Sequence, residues 1–287
     1  MDQSIINLFD EYTHKPLTRK EFMERLVRLA GGTALALSAL AMLEPGYAAA
    51  AMVPPDADDL LREEVTWIGD GAPVRGYLVH TKGKARQKRG AVVVIHENRG
   101  LTPHIKDVTR RVAQAGYLAL GVDALSVVGG TPTDEDKGRE LIGQLDPAKT
   151  LNNYLRGLDY LRARPDCNGR TGCVGFCWGG AMANKLAVAD PQLDAAVSYY
   201  GTQPKAEDVP RIKANLLLHY AGLDTRVNAG MAAYEAALKA NGIKFEQHVY
   251  EGVNHAFNND SSPARYNAEA AKLAWERTLR LFKEKLG

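Results

Sequence analysis

Residues 170–189 form the stretch RTGCVGFCWGGAMANKLAVA. Its first half is short and apolar, as expected for a buried strand, and its last part, AMANKLAVA, favours a helix. Cys177 lies at the junction, with Gly175 two residues before it and Gly179 two residues after it. The stretch therefore predicts a strand that turns directly into a helix, with a cysteine at the turn.

The residues around Cys177 have the spacing of the nucleophile elbow Gly-x-Ser-x-Gly, with cysteine in place of serine. Such a turn strains the central residue, and side chains two positions to either side would collide with it. Cys177 would project above the sheet at the amino end of a helix, whose dipole favours a thiolate. The alternative is a buried cysteine that packs as a small apolar side chain.

Short apolar runs alternate with helical segments on both sides of this stretch. Further strands are predicted within EEVTWI (63–68), RGYLVHT (75–81), AVVVIHE (91–97), YLALGVDAL (117–125), LDAAVSYYG (193–201), NLLLHYAG (215–222) and FEQHVYEG (245–252). Residues 126–147 are predicted as a loop or a loosely helical excursion, and a last helix is predicted over about residues 263–285. This alternation indicates an α/β fold, a mainly parallel sheet with helices on both faces, which places ligands at the carboxyl ends of the strands.

The composition is that of a globular protein, with 287 residues, 45% hydrophobic and 24% charged. One α/β domain over residues 55–287 accounts for everything after the amino-terminal segment. The net charge of +2 and one short basic cluster at residues 86–89 are too little positive charge for a nucleic-acid-binding surface, so binding to nucleic acid is not predicted. The pair His96-Glu97 lacks the His-Glu-x-x-His spacing of a zinc site, so neither metal nor cofactor is predicted. Cys167 and Cys173 could form a disulfide in an oxidising compartment, or remain reduced and buried.

Residues 1–50 differ from the rest of the chain. Residues 29–43 form an uncharged apolar run of signal-peptide length, shorter than the ~20 residues that span a bilayer. Residues 18–23, TRKEFM, resemble a twin-arginine export signal with lysine in the second position, and residues 48–50 are small, as at a cleavage site. The segment is therefore an export signal of a periplasmic or exported protein, or a helical arm retained in a cytoplasmic one. The oligomeric state is left open.

An acid and a histidine follow Cys177 in the order that a catalytic triad requires. Asp224 comes just after one predicted strand and His255 just after the next, 31 residues later. Both should emerge at the same edge of the sheet, where His255 can take the thiol proton and Asp224 can fix the imidazole tautomer. Taken singly, Asp224 could shape a turn and His255 could cap a loop. His14 is assigned to the leader and left outside the site.

The segments VVVIHENRGLTPHIKDVTRRVAQAGYLALGVDAL (92–125), VGFCWGG (174–180) and GVNHAF (252–257), with the Asp224 loop, resemble the dienelactone hydrolase, or carboxymethylenebutenolidase, family over roughly residues 60–285. The resemblance implies an α/β-hydrolase fold, Cys177 as nucleophile, and Asp224 and His255 as its triad partners. It also implies that Glu97 is a carboxylate that interacts with the resting thiol and yields when substrate arrives. A carboxylate at that place would disfavour the thiolate by repulsion; the alternative is an acid paired with Arg99 or a backbone amide.

The remaining candidates concern the oxyanion and the substrate. Backbone N–H groups of Trp178 and Asn98 are expected to form the oxyanion hole. Family members that hold a substrate carboxylate use an arginine four positions after the catalytic histidine, where this chain has Asn259. Arg99 is expected either to hold the substrate carboxylate in place of that arginine or to form a helix-facing salt bridge.

Two functions from different classes follow. The first is a hydrolase that cleaves small esters or lactones through a thioester at Cys177, and the second is a non-catalytic relative that binds a ligand. Thiol redox chemistry between Cys173 and Cys177 is disfavoured, because four residues of one strand would separate the sulfurs by roughly 13 Å.

Overall fold

An eight-stranded sheet organises the chain in the computed structural model, which describes residues 1–15, 17–44, 51–83 and 88–287. The strands are β1 (Leu60–Ile68), β2 (Pro73–Thr81), β3 (Arg89–Ile95), β4 (Leu118–Asp123), β5 (Cys167–Phe176), β6 (Ala195–Tyr199), β7 (Asn215–Ala221) and β8 (Phe245–Tyr250). Their order across the sheet is β1-β2-β4-β3-β5-β6-β7-β8.

The sheet is mainly parallel, as the sequence predicts. β1 and β2 form an antiparallel hairpin, and β2 pairs antiparallel with β4. Every other pairing, from β4 through β3, β5, β6 and β7 to β8, is parallel. The loops after β3, β5, β6, β7 and β8 therefore leave the same edge of the sheet, where residues distant in sequence can meet.

Helices cover both faces of the sheet. They are α1 (Gln3–His14), α2 (Arg19–Ala30), α3 (Thr33–Leu43), α4 (Pro103–Gln114), α5 (Glu135–Gln144), α6 (Pro147–Arg162), α7 (Trp178–Ala189), α8 (Thr225–Asn228), α9 (Met231–Ala240) and α10 (Ala268–Leu286). Buried side chains of α6, α7 and α9 form one apolar core with the sheet, and those of α4 and α10 form a second core on the other face. This is the predicted α/β arrangement.

Residues 126–147, predicted as a loop or a loosely helical excursion, are partly helical and contain α5, whose first turn is capped by the Asp134 carboxylate. One boundary differs from the sequence prediction. The last helix begins at Ala268 rather than near residue 263, because the Asn267 side chain accepts the Ala270 N–H at 2.9 Å and fixes the helix start there. The segment before Asn267 is thereby free to contact the amino-terminal helices.

Helices α1, α2 and α3, called the arm from here on, pack on the α/β domain. Their apolar faces share a core of their own, in which Phe9, Tyr12 and Phe22 are fully buried and Ala264 of the domain takes part. Hydrogen bonds join the arm to domain loops, including Ala264 N–H to Met42 O at 3.1 Å and Tyr12 Oη to Asp136 Oδ2 at 2.6 Å. The arm therefore rests against the edge of the sheet from which the site loops emerge.

The arm coincides with the segment predicted as an export signal or a helical arm. The small residues 48–50 of the predicted cleavage site lie outside the described residues, as do residues 86 and 87 of the basic cluster. Among the helices that the structure describes, none alone is long and apolar enough to cross a membrane. Arg19–Ala30 and Thr33–Leu43 pass that test only as a pair, with a bend of 113° between them.

Candidate active site

Cys177 occupies the strained turn that the sequence predicts between β5 and α7. Its backbone has φ 54° and ψ −113°, in the region that residues with a side chain rarely adopt. A Cβ added at Gly175 would collide with Gly179 O, and a Cβ at Gly179 would lie 2.5 Å from His96 O. The two glycines are therefore needed so that β5 can turn within one residue into the helix.

Replacing Gly179 by alanine should lower the free energy of unfolding by about 3 kcal/mol, because the added methyl meets backbone atoms of β3 that have no room to move. Urea unfolding followed by circular dichroism measures this change. Gly143→Ala in α5 is the matched control, since nothing lies within 4 Å of its new Cβ and alanine favours a helix by about 1 kcal/mol. Equal stabilities of the two variants would contradict the tight turn.

Asp224 and His255 emerge side by side from the ends of β7 and β8. The Asp224 carboxylate begins α8 and accepts the Val227 N–H at 3.1 Å through Oδ1. Its other oxygen, Oδ2, lies 2.5 Å from His255 Nδ1, and both side chains are buried. This contact places the Nδ1 proton against the carboxylate and directs Nε2 of the imidazole away from it.

His255 faces the sulfur of Cys177. Ligand atoms of Cys177, His255 and His14 all lie within 4.8 Å of one another. Nε2 of His255 is buried and has no hydrogen-bond partner among the residues that the structure describes. Tyr200, at φ 40°, packs its ring 4.9 Å from the imidazole and limits its movement. The histidine is thus positioned for proton transfer at the sulfur without a competing acceptor.

His14 is the residue that the sequence analysis missed. It lies at the end of α1, and its Nε2 is 3.1 Å from Cys177 Sγ, within hydrogen-bond distance. Its ring packs edge-on against His255 with centroids 4.7 Å apart. No local motif could reveal this, because His14 precedes Cys177 by 163 residues and reaches it only through docking of the arm.

The two imidazoles control the charge of the sulfur. Burial raises the pKa of the Cys177 thiol, but the nearby His14 and His255 outweigh it and lower the pKa to about 6. Burial lowers the pKa of His255, and Cys177, Asp10 and Asp224 outweigh that effect and raise it to about 10. A thiolate beside an imidazolium is therefore the favoured state near neutral pH.

Glu97 follows β3 and lies in the same small space as Cys177 and His255. Its Oε2 accepts from Asn259 Nδ2 at 2.8 Å, whereas the resting sulfur contacts His14. The other oxygen, Oε1, is buried and has no hydrogen-bond partner within the described part of the chain. Asn259 uses its own oxygen for the Ser261 N–H at 3.1 Å. Its side chain thus holds Glu97 and is not directed at a substrate.

Arg99 forms an ion pair with Glu135 at the start of α5, which is the second of the two alternatives given for it. Its guanidinium also lies 5.8 Å from the centre of the Phe9 ring in the arm. Arg265, which the sequence analysis did not consider, lines the space around Cys177 and His255 and lies 5.0 Å from the same ring. The two arginines thus enclose Phe9 of the arm.

The two residues expected to form the oxyanion hole flank the elbow. Trp178 is the first residue of α7, so its N–H has no acceptor within the helix. Its ring stacks on His96 at 5.2 Å, which holds the start of the helix against the end of β3. Asn98 lies in the loop after β3 and donates its side-chain amide to Thr13 O of the arm at 2.8 Å. Both residues border the cavity in front of Cys177.

All three cysteines are free and buried, so Cys167 and Cys173 form no disulfide. Cys173 and Cys177 belong to different apolar cores on opposite faces of the sheet. The prediction that both lie on one strand and one face is wrong, because the strand ends at Phe176 and the turn redirects Cys177. Redox pairing of the two is disfavoured for this reason rather than by spacing along a strand.

One group within the described ranges has the donors and spacing for a metal ion, namely His14, Cys177 and His255. Imidazole nitrogen and thiolate sulfur are the donors that zinc prefers. The sequence spacing could not predict it, since the three residues come from three distant segments. An ion bound there would occupy the sulfur and both imidazoles.

A cavity of about 600 Å³ opens in front of Cys177. The arm forms one wall through Thr13, His14 and Leu17, and the domain forms the opposite wall around Trp178 and Tyr200. Charged residues at its border are Lys15, Arg139, Arg226 and Glu140, three cations against one acid. The cavity is of a size that holds a small organic molecule.

The fold, with its strained turn after β5, is that of an α/β hydrolase. The sequence profile of the dienelactone hydrolase family matches residues 74–286, which is most of the chain. The chain belongs to this family of hydrolases.

Relatives agree with this membership. A hydrolase fragment of Escherichia coli (strain K12), provisionally named YghX, is 52% identical over 117 residues, 40% of this chain and 97% of the fragment. A protein of Escherichia coli O157:H7, provisionally named a carboxymethylenebutenolidase, is 34% identical over 208 residues, 67% of this chain and 76% of that protein. The crystal structure of a provisionally named dienelactone hydrolase from Klebsiella pneumoniae subsp. pneumoniae MGH 78578 superposes with TM-score 0.70 and 28% identity, covering 78% and 98% of the two chains.

Proposed function

We propose that this hydrolase cleaves small carboxylic esters or lactones through a thioester formed on Cys177, with His255 and Asp224 as its acid–base pair. The observation that carries the proposal is the Asp224–His255 contact of 2.5 Å beside a cysteine on a strained turn. Neutral serine needs a base at the moment of attack, whereas a thiol with a pKa of about 6 is already a nucleophile at neutral pH.

The first half of the reaction transfers the acyl group to the enzyme. The Cys177 thiolate attacks the ester carbonyl carbon, a C–S bond forms, and negative charge develops on the carbonyl oxygen. The N–H groups of Trp178 and Asn98 are the proposed donors to that oxygen. The C–O bond to the leaving group then breaks, and His255 Nε2 gives its proton to the departing alkoxide. In a lactone the alkoxide stays on the same molecule.

The second half returns the enzyme to its starting state. The neutral His255 takes a proton from water as the water oxygen attacks the thioester carbonyl. A C–O bond forms, the C–S bond breaks, and the thiolate leaves with the imidazolium beside it. Ester and water have become acid and alcohol, with no net change in the enzyme. Asp224 keeps Nδ1 protonated throughout, so that Nε2 alone exchanges protons.

Glu97 has a proposed role in this cycle as an acceptor beside the sulfur. Asn259 fixes one of its oxygens, and the buried Oε1 keeps its capacity to accept a hydrogen from substrate or water. Its negative charge also opposes a second anion close to the thiolate. A carboxylate on the substrate is therefore best placed away from Glu97, towards the cations at the mouth of the cavity.

The substrate class follows from the cavity border. This border carries Lys15, Arg139 and Arg226, each 3.6 to 3.8 Å from an acid of the chain, while neither Arg99 nor Asn259 offers a free carboxylate anchor. We infer that an anionic group distant from the scissile bond can approach these loosely paired cations, so that esters carrying one bind better than neutral esters of the same size. A panel of matched carboxylated and neutral aryl esters tests this through kcat/KM and its salt dependence; equal kcat/KM values for the matched pairs would contradict it.

The pH dependence of hydrolysis tests the proposed ion pair. The thiolate is present above its pKa of about 6 and is lost as pH falls, and the imidazolium is present below about 10 and is lost as pH rises. We expect kcat/KM to rise through the first value and to fall through the second. An acid limb near the ordinary thiol pKa of about 8.5 would contradict it.

The alternative, a relative that only binds a ligand, predicts a different cysteine chemistry. Iodoacetamide should modify Cys177 selectively and with the same acid limb, because the pKa of this thiol is lowered, whereas burial raises the pKa of Cys173. Cys167 and Cys173 serve as internal controls in the same chain. Inert or unselective cysteines together with no ester turnover would favour the binding protein.

A further inference from the structure

We propose that His14 of the arm is a catalytic residue, a second imidazole that takes the Cys177 proton in the resting enzyme. The inference rests on the proposed function and goes beyond it, since it makes the amino-terminal arm part of the active site. The proton moves from Sγ to His14 Nε2, which leaves a thiolate and an imidazolium in contact. His255 then serves the leaving group and the attacking water.

The hydrogen bonds of His14 give its tautomer. Nδ1 lies 2.8 Å from the backbone oxygen of Asp10, which can only accept, so Nδ1 carries a hydrogen. The Asp10 carboxylate lies 3.1 Å from the same nitrogen. Nε2 is therefore the atom that exchanges a proton, and it is the atom 3.1 Å from Cys177 Sγ. Asp10 thus fixes Nδ1 of His14 through its backbone oxygen, with its carboxylate close by, whereas Asp224 fixes Nδ1 of His255 through its carboxylate.

The two histidines differ in their contact with the sulfur. His14 Nε2 is at hydrogen-bond distance from Sγ, whereas His255 Nε2 has no hydrogen-bond partner among the described residues. His14 is thus the immediate partner of the resting thiol. This leaves His255 available for a proton exchange with substrate, which a sulfur-bound imidazole could not perform at the same time.

The arm is held in place independently of this contact. Asn98 donates to Thr13 O at 2.8 Å, Gln3 donates to Asn254 Oδ1 at 2.5 Å, and Arg139 donates to Tyr12 O. Asn98 and Asn254 belong to loops that also carry the proposed oxyanion donor and His255. The sulfur still borders the cavity of about 600 Å³, so the arm lies beside the substrate path and does not close it.

Several charged groups surround His14 and set its protonation. From its own helix Asp10 faces it, and from the domain Cys177 and His255 do so. Burial lowers the pKa of His14, but Cys177 and Asp10 outweigh burial and His255, so the pKa is raised overall.

A second group of charges lies behind these. Arg226 lies 3.8 Å from the Asp10 carboxylate, and Glu97 and Arg265 share the small space next to Cys177. None of these is altered by a substitution at His14, so that substitution isolates the imidazole.

The test is the pH dependence of Cys177 alkylation in the full chain. In His14→Gln the amide keeps a hydrogen-bonding group near Sγ but cannot become a cation. We expect the midpoint to rise by at least one pH unit from about 6, so that alkylation at pH 6 falls about fivefold or more. Hydrolysis at pH 6 should fall by a similar factor and recover as pH rises. His80→Gln on β2, the same change far from the sulfur, should match the unaltered enzyme.

The sign of the shift separates a chemical role from a structural one. Burial raises the pKa of the Cys177 thiol, so a loosened arm that merely lets water in would lower the midpoint. Loss of a neighbouring cation raises it, and the amide in His14→Gln keeps a hydrogen-bonding group near Sγ, so the charge is the part of His14 that the variant removes. An unchanged or lowered midpoint in His14→Gln therefore overturns the inference, even if the variant is less stable. Failure of iodoacetamide to modify Cys177 in the unaltered enzyme would instead overturn the proposed function.

The inference also requires that the arm stay on the working enzyme. Protein labelled at Cys177 in the cells that produce it should retain residues 3–14, which peptide mass spectrometry detects. Recovery of labelled, active enzyme whose chain starts near residue 50 would overturn the inference. Such a start is the outcome that cleavage of an export signal predicts.

Discussion

Cys177→Ala should lower kcat for ester hydrolysis by a factor on the order of 10⁴ or more, because it removes the only atom that bonds to the acyl group in the proposed cycle. The fold should survive, since the glycines that permit the turn are untouched and the side chain lost is small. Initial rates on an aryl ester measure the loss, and circular dichroism checks the fold.

Cys167→Ala is the matched control for this variant. Cys167 is also buried, at the start of β5, but it lies at the opposite end of that strand from the elbow. It should keep most of the activity at a modest cost in stability. A Cys177→Ala enzyme within tenfold of the unaltered kcat would show that the acyl group is carried elsewhere or nowhere.

The second large effect is expected at the acid–base pair. His255→Gln should lower kcat by a factor on the order of 10³ to 10⁴, since the leaving alkoxide loses its proton donor and water loses its base. Asp224→Asn should lower kcat by a factor in the same range. An amide does not hold the Nδ1 proton of His255 as the carboxylate does, so the imidazole can adopt the wrong tautomer. Stopped-flow or steady-state rates at one saturating ester concentration give both values.

The double variant shows whether the two residues act as one unit. Groups that work together are strongly non-additive, so His255→Gln combined with Asp224→Asn should be little worse than either alone. His248→Gln, seven residues earlier on β8 and outside the site, is the control and should keep its activity. A multiplied loss in the double variant would mean that the two residues act independently and that the 2.5 Å contact does not couple them in the reaction.

The sequence could predict the parts of the site that follow from strand order. Cys177, Asp224 and His255 each come directly after a strand of one parallel sheet, and parallel strands deliver their carboxyl ends to one edge. The glycines on either side of Cys177 are a local requirement of the turn, so the turn can be predicted from the five residues 175–179 alone. The fold class follows from the same alternation.

The remainder of the site depends on tertiary contacts that leave no local pattern. His14 reaches the sulfur because Phe9, Tyr12 and Phe22 bury each other and dock the arm. The sequence pattern instead indicates an export signal in the same arm, through the motif at residues 18–23 and the apolar run at residues 29–43. The contact of Asn259 with Glu97 joins residues 162 positions apart. Such contacts form only when the chain is folded. From the sequence alone, several acids and amides are equally plausible partners for each of these residues.

Trapping the acyl-enzyme shows whether Cys177 carries the acyl group. An aryl ester is mixed with the full chain, the reaction is quenched in acid within the first turnover, and the peptides are mapped by mass spectrometry. We expect an acyl adduct on the peptide that contains Cys177, removed by hydroxylamine, and a matching burst of aryl alcohol. An adduct on any other residue, or full turnover without an adduct, would contradict this role of Cys177.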